Sequence, residues 1–410
     1  MRAMTIQAES SVGPALLDEA RRLLPGVIEL RRELHRHPEV GLELPDTQAR
    51  LIRALEGLPL EVRTGETIGS VVATLEGGRP GPTVLLRADM DGLPLQEDTG
   101  LEFASEIAGA MHACGHDTHV AMLIGAARLL AARRGELAGR VLFMFQPGEE
   151  GYHGARVMLD EGLLDEEAPP TGAFAIHIGT RYRSGTVNLR RGPLLASGDT
   201  IRITVRGSGG HASAPHHAVD PIAVAAEITL ALQAMVTRRI DIFDPAVLTI
   251  ANITAGTTTN IIPETAFLQG TMRTLSAATR EAMRANVRRV AEGIAAAHGA
   301  TAEVELEPGY PVTVNDAAFA DHVMAVATEL IGPDDVAEMP DPIMGAEDFS
   351  YVLERVPGAM AFLGACPIEH EPGEGPQGHS NRVVFDEDAM AVGVALYAAV
   401  ALAEAGRASA

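Results

Sequence analysis

Residues 83–94 read TVLLRADMDGLP, an apolar run that stops at two acidic residues. Thr83–Ala88 has the β-branched and leucine content of a buried strand, and glycine and proline lie beyond it. Asp89 and Asp91 therefore stand where the strand ends. Other apolar runs bounded by glycine and proline are Gly69–Leu75, Arg140–Phe145 and Phe174–Ile178. The run Arg140–Phe145 leads into Glu149 and Glu150, and Phe174–Ile178 carries His177 at its end. Between these runs, His119–Ala132 is rich in Ala and Leu and reads as a helix. Leu16–Arg36 and Asp46–Leu58 read as amphipathic helices ahead of the first strand. Strands alternating with helices predict an α/β sheet covered on both faces.

The pattern changes near Asp199. Thr200–Val205 alternates like a half-buried strand and Pro221–Met235 is helical. Ala246–Ile253 and Ala266–Leu275 are strands, Thr279–His298 is a helix and Thr301–Glu307 a strand. That order is β-α-β-β-α-β, the ferredoxin-like arrangement, and predicts a small domain inserted in a larger one. The α/β character returns with a helix at Asp316–Leu330, an apolar strand at Gly358–Leu363 and a terminal helix at Glu387–Ala403. The expected division is 1–196 and 309–410 for the larger domain and 197–308 for the insert.

The 410 residues exceed what one core normally serves, in keeping with two domains. A formal charge of -23 disfavours nucleic acid and anionic membrane as partners. No apolar run approaches the ~20 residues needed to span a bilayer. The N-terminal MRAMTIQAESSVG lacks the apolar stretch of a signal peptide. With only Cys114 and Cys366 present, a reducing, cytoplasmic compartment is expected.

Open α/β sheets bind ligands in the crevice beyond the carboxyl ends of their strands, so distant segments can converge there. The segments concerned hold Asp89 and Asp91, then His112, Cys114, His116, Asp117 and His119 in HACGHDTH, then Glu149, Glu150 and His177. The late loop ending in GHSN can bring His379 to the same edge. Imidazole, thiolate and carboxylate are metal-ligand types. The adjacent pair Glu149–Glu150 can divide two roles, one carboxylate holding metal and the other taking a proton from water. Cys366 has no such neighbours and reads as structural. His35 and His37, at the end of the first helix, read as structural too. His112, His119 and His153 stay open between supporting and substrate-facing roles. The run GSGG at Gly207–Gly210 lacks the spacing and Lys-Ser/Thr ending of a phosphate loop and reads as backbone freedom beside His211.

The motifs ELHRHPEVGLE, LLRADMDGLP, HACGHDTHVAMLIGAA, FQPGEEG, GGHASAPH, TTTNIIP and GAEDFS occur in order over nearly the whole chain. Together they resemble the amidohydrolase branch of the co-catalytic zinc aminoacylase/carboxypeptidase family. That branch includes hippurate hydrolases, N-acyl-amino-acid amidohydrolases and auxin-conjugate hydrolases. The resemblance implies an α/β, mixed-sheet zinc-peptidase-like catalytic domain with an inserted ferredoxin-like lid and dimerisation domain. It implies two divalent ions per subunit, with zinc, manganese, cobalt and nickel all open. Cys114 would bridge them, with His116 and His177 on one ion and Glu150 and His379 on the other. Glu149 would be the general base, and Asp91 would orient a ligand from behind. His211 would polarise the scissile carbonyl in a partner subunit's site, and Asn260 and Arg273 would grip a substrate carboxylate. The implied reaction is hydrolysis of a small N-acyl amino acid by a metal-activated water in a homodimer or higher homo-oligomer. A dipeptidase or carboxypeptidase would use the same chemistry. A catalytically silent scaffold would be expected to lose the base or a ligand, and all of these are present.

Overall fold

The computed structural model describes residues 12–165 and 168–407. Residues 1–11, which carry most of the segment on which the signal-peptide expectation rests, lie outside that range. The chain divides into two compact units. The first comprises Met1–Gly192, Val314–Asp341 and Tyr351–Ala410, and the second Pro193–Thr313 with Pro342–Ser350. No helix among the described residues is long and apolar enough to cross a membrane.

The first unit holds an eight-stranded mixed sheet in the order Leu60–Thr64, Val71–Glu76, Ala138–Gln146, Arg79–Asp89, Pro170–Arg183, Gly358–Cys366, Val187–Leu189, Val336–Glu338. The central pairs among Ala138–Gln146, Arg79–Asp89, Pro170–Arg183 and Gly358–Cys366 are parallel, while Leu60–Thr64, Val71–Glu76 and Ala138–Gln146 pair antiparallel. Gly358–Cys366 is buried along its whole length, which is why it reads as an unbroken apolar run rather than an alternating one. The helices Val12–Arg36, His116–Ala132, Ala317–Ile331 and Met390–Arg407 pack together and against the central strands. His116–Ala132 is almost wholly buried, which suits its alanine-rich sequence. The short strands Val187–Leu189 and Val336–Glu338 and the exposed edge strand Leu60–Thr64 were not legible in the sequence. Three residues are too few to show a period, and LEVRT has little apolar face to mark.

Tyr397, on the last helix, shapes the carboxyl end of this sheet. The ladder between Arg79–Asp89 and Pro170–Arg183 stops at the pair Arg87↔Ala175. There the Tyr397 phenol donates to the Arg87 carbonyl at 2.7 Å and accepts from the Ile176 amide at 3.0 Å. A hydroxyl thus takes the place of the next direct strand-to-strand bond. Beyond it Asp89 ends its strand, whereas the strand read from sequence as ending near His177 runs on to Arg183, so His177 lies within it beside the crevice.

In the second unit, four antiparallel strands run in the order Ala246–Ala255, Thr265–Thr274, Ser197–Arg206, Thr301–Pro308. With the helices Pro221–Arg239 and Ala277–Ala297 this is the expected β-α-β-β-α-β arrangement. Strand alternation explains its core: Ile201, Ile203 and Val205 are fully buried and pack with Leu268, Val224, Ile228, Leu232 and Val287. Both helices start on side-chain caps, Asp220 accepting from the Ile222 amide and Ser276 from the Thr279 amide.

Candidate functional site

In the first unit, the loop before helix His116–Ala132 and the ends of several strands bring Cys114, His116, Glu149, Glu150, His177 and His379 together. Two trios stand out, Cys114–His116–His177 and Cys114–Glu150–His379. In each, one ligand atom per residue lies within 4.8 Å of the others. Cys114 belongs to both. His116, Glu149 and Glu150 form a further trio on the same criterion, which puts the Glu149 carboxylate beside the shared thiol's neighbours.

The ring orientations follow from backbone anchors. His116 Nδ1 donates to the Asp91 carbonyl at 2.8 Å, and His177 Nδ1 donates to the Ile178 carbonyl at 2.6 Å. Each anchor places the Nδ1 proton and turns Nε2 toward the Cys114 cluster, the usual arrangement of ligating histidines. His177 Nε2 sits 3.4 Å from Cys114 Sγ. His116 Nε2 is buried and has no hydrogen-bond partner among the described residues. The buried Asp91 carboxylate accepts from the Glu149 amide at 2.9 Å and from the Glu150 amide at 3.1 Å. Both glutamates are therefore aimed by one side chain. His379 is more exposed and sits at φ 69°, a left-handed conformation that is strained for a non-glycine residue. Its amide donates to the Ala113 carbonyl at 2.9 Å, tying the late loop to the Cys114 loop, and its Nε2 lies 3.1 Å from Glu150 Oε1.

The electrostatics suit a cation. Burial raises the Cys114 thiol, but His177 and His116 outweigh it and bring the pKa down to about 6. Hydrogen bonds to Cys114 and Glu150 push His379 up to about 10. Burial pulls His116 down, yet Asp89 and Cys114 hold it well above its ordinary value. Protons here occupy places that a divalent ion would take.

The histidines left open by sequence now have places. His119 is buried, with Nδ1 on Asp89 Oδ1 at 2.5 Å and Nε2 accepting from the Ile178 amide at 2.8 Å. Both nitrogens are spent, so His119 supports the end of the strand that carries His177 rather than ligating. Burial brings it down to about 4, so it is neutral at pH 7. Asp89 also accepts from Arg87 Nη1 at 2.8 Å, and its carboxyl is held well below the usual range. His35 Nδ1 lies 2.8 Å from Asp117, which in turn lies 2.8 Å from Arg31 Nε. This buried network joins the first helix to the residue beside His116. His112 is buried with neither ring nitrogen hydrogen-bonded among the described residues, and burial lowers it to about 3. His153 sits at φ 59° and bonds the Tyr351 hydroxyl at 2.9 Å. His37 bonds the Glu33 carbonyl, and the buried Cys366 thiol contacts the carbonyls of Pro367 and His370. The Asp89–His119 pair and the Arg31–Asp117–His35 network had no sequence signal beyond the motifs that contain them.

In the second unit, Gly210–His211 pairs antiparallel with Ile261–Ile262, and the Ala212 amide donates to the Asn260 carbonyl. His211 and Asn260 are therefore neighbours, both exposed. Glycines serve close backbone crossing here: a Cβ on Gly207 would lie 2.0 Å from the Val219 carbonyl oxygen. Arg273 lies elsewhere, near the far end of strand Thr265–Thr274, opposite Gly198. Its guanidinium covers the Gly198 Cα so closely that a Cβ there would lie 2.6 Å from Nη1. Arg273 makes no hydrogen bond or ion pair with another described residue, so a half-buried cation is left for an outside anion.

The residues of the first unit fit a pair of divalent ions. Their thiolate, imidazole and carboxylate donors suit zinc-type metals, and one sulfur is common to both trios. Comparison with known proteins agrees. The chain is 39% identical over 391 residues to thermostable carboxypeptidase 1 of Saccharolobus solfataricus, covering 94% of this chain and 97% of the relative. It is 39% identical over 377 residues to N-acetylcysteine deacetylase of Bacillus subtilis, covering 92% and 96%. A solved Bacillus subtilis structure described as a dinuclear metal binding peptidase matches with a TM-score of 0.82 at 35% identity, covering 94% of this chain and 99% of that one. The model of peptidase family M20/M25/M40 matches residues 85–403. The chain belongs to that family.

Proposed function

We propose that this chain is a binuclear metal-dependent amidohydrolase that cleaves the amide bond of a small N-acyl amino acid, releasing an amino acid and a carboxylic acid. The observation that carries the reading is Cys114, shared by two ligand trios with the Glu149 carboxylate alongside. Cys114, His116 and His177 would hold one ion, and Cys114, Glu150 and His379 the other. Ions so held supply Lewis acidity, lowering the pKa of water and polarising a carbonyl. Glu149 takes the proton from the attacking water and returns it to the leaving amine. Asp91 keeps Glu149 and Glu150 in register through their amides. His211 donates to the carbonyl oxygen as it gains charge, and Arg273, with Asn260, binds the substrate carboxylate through its planar fork.

The layout of the second unit supports a homodimer. Thr265, close to the His211–Asn260 pair, and Arg273 are separated by about 27 Å along one extended strand at ~3.4 Å per residue. That span exceeds one N-acyl amino acid, which favours His211 and Arg273 of different chains meeting at one substrate. Two copies, each lending His211 and Asn260 to the other, meet the need. Two free cysteines, one of them at the proposed metal centre, favour a reducing compartment such as the cytoplasm.

The 39% identity to a carboxypeptidase keeps a peptide substrate as the second reading. The test is hydrolysis of N-acetyl and N-benzoyl amino acids, free dipeptides and carboxylate-blocked amides, in metal-free buffer and with Mn, Zn, Co or Ni. Metal-dependent release from the N-acyl acids, lost on blocking the carboxylate, is expected. Turnover of dipeptides alone would move the protein to the peptidase reading. Glu149→Ala should abolish turnover with metal content retained, and an active variant would overturn the mechanism.

A further inference from the structure

His211 can help a carbonyl oxygen only if it presents a proton, and a neutral imidazole carries its proton on one nitrogen alone. The residue that decides which nitrogen is Ser213. The Ser213 amide lies 3.1 Å from His211 Nδ1 and the Ser213 hydroxyl 2.8 Å from the same atom. An amide N–H can only donate, so Nδ1 is the acceptor and the ring proton sits on Nε2. The turn is held from both ends. The Ala214 amide donates to the His211 carbonyl at 2.8 Å, and His211 is registered against Ile261 on the neighbouring short strand. The ring's Nδ1 edge is thereby turned onto its own loop, which leaves Nε2 as the free nitrogen of an exposed side chain.

We propose that Ser213 is a positioning residue that locks neutral His211 in the Nε2–H tautomer, so that the free edge of the ring is a hydrogen-bond donor. With the opposite tautomer, a lone pair would face the substrate oxygen and repel the charge that develops there. The proposal rests on the reading in which His211 reaches the scissile carbonyl. Its structural part, the tautomer lock, stands on the loop alone.

The test is made on the full-length, metal-loaded protein labelled with 15N in histidine. His211 resonances are assigned by their loss in His211→Gln. In the wild type, Nδ1 should appear unprotonated and Nε2 protonated. Ser213→Asp places a carboxylate acceptor at the Nδ1 edge and should move the proton to Nδ1. Ser213→Ala keeps the amide donor but loses the hydroxyl, and should keep the Nε2–H form in the majority with a weaker bias; a majority Nδ1–H form there would overturn the assignment of the amide as donor. Ser213→Thr should restore the wild-type spectrum. In turnover, kcat should fall about 100-fold in Ser213→Asp, as for removal of an oxyanion donor. Ser213→Ala should lose about 2- to 12-fold, the worth of one neutral hydrogen bond. KM should change little in either, and Ser213→Thr should match the wild type. A protonated Nδ1 in the wild type, or an unchanged tautomer in Ser213→Asp, overturns the proposal. The separate reading of His211 is judged by His211→Gln: full turnover in that variant sinks it, while the spectra still decide the role of Ser213.

Discussion

Asp91 offers the sharpest test of how the site is held, because one buried carboxylate receives the amides of both Glu149 and Glu150, at 2.9 and 3.1 Å. Asp91→Asn preserves size but replaces one acceptor oxygen with an NH2 group, so a donor faces a donor. One charge-assisted bond becomes a neutral one and one buried amide is left unsatisfied. At about 1–3 kcal/mol for an unsatisfied buried group, plus the weakening of the other bond, the loss is ~3 kcal/mol. Thermal unfolding of the metal-free protein should show it as a fall of about 5 °C or more. Turnover should suffer further, since a displacement of ~1 Å in a positioned group can cost about 100-fold. Glu150 moves with Glu149, so metal stoichiometry should also drop, which separates this variant from Glu149→Ala. A kcat within about threefold of wild type and an unchanged melting temperature would show that Asp91 does not hold this turn.

Three further outcomes follow from the contacts described. Gly198→Ala puts a Cβ 2.6 Å from Arg273 Nη1, the mobile end of a long side chain. It should raise KM for carboxylate substrates with melting temperature and metal content unchanged, and an unchanged KM would remove Arg273 from the substrate site. Asp117→Asn strips a charge from beside the fully buried Arg31 and should destabilise the protein by ~3 kcal/mol, measured by denaturant unfolding. A loss below about 1 kcal/mol would mean that Glu387 alone suffices for Arg31. The third concerns pH. His379, raised to about 10, and His116, held well above its ordinary value, must each shed a proton before ligating, whereas Cys114, lowered to about 6, is already thiolate at neutral pH. Metal affinity should therefore climb by at least about tenfold per pH unit between roughly pH 7 and 9, followed with a competing chelator, and a flat profile would refute it. In the metal-free protein the sign is opposite: the stabilising contribution of His379 is fully present below its unfolded value and is lost as pH rises through about 10.

The sequence carries the fold wherever a period or a strand end is long enough to show. Ile201, Ile203 and Val205 announce the second unit by alternation, and the runs ending at Asp89, Glu149 and His177 announce the crevice. The side chains gathered around Cys114 are legible from their ligand chemistry and from the family resemblance of the motifs that hold them. What stays hidden depends on partners distant in the chain. The saturation of His119 needs Asp89 on one strand and Ile178 on another, and no spacing encodes that. Pro342–Ser350, which contains GAED, joins the second unit although it follows a helix of the first. That Arg273 lies at the opposite end of strand Thr265–Thr274 from the turn leading to Asn260 emerges only when the strand is seen to be paired along its whole length.

Tyr397 stands 310 residues after Arg87 in the chain, yet its hydroxyl takes up the Arg87 carbonyl and the Ile176 amide, just before His119 bridges Asp89 and Ile178. As the protein is made, both strands leave the ribosome long before the helix that parts them. Until that helix docks, nothing prevents Arg87 and Ile176 from bonding each other directly. The part of the cleft mouth set by Tyr397 is thus completed by the last element of the chain to be made. A nascent chain short of its last helix lacks the hydroxyl that caps Arg87 and Ile176, and only the His119 bridge then parts the two strands.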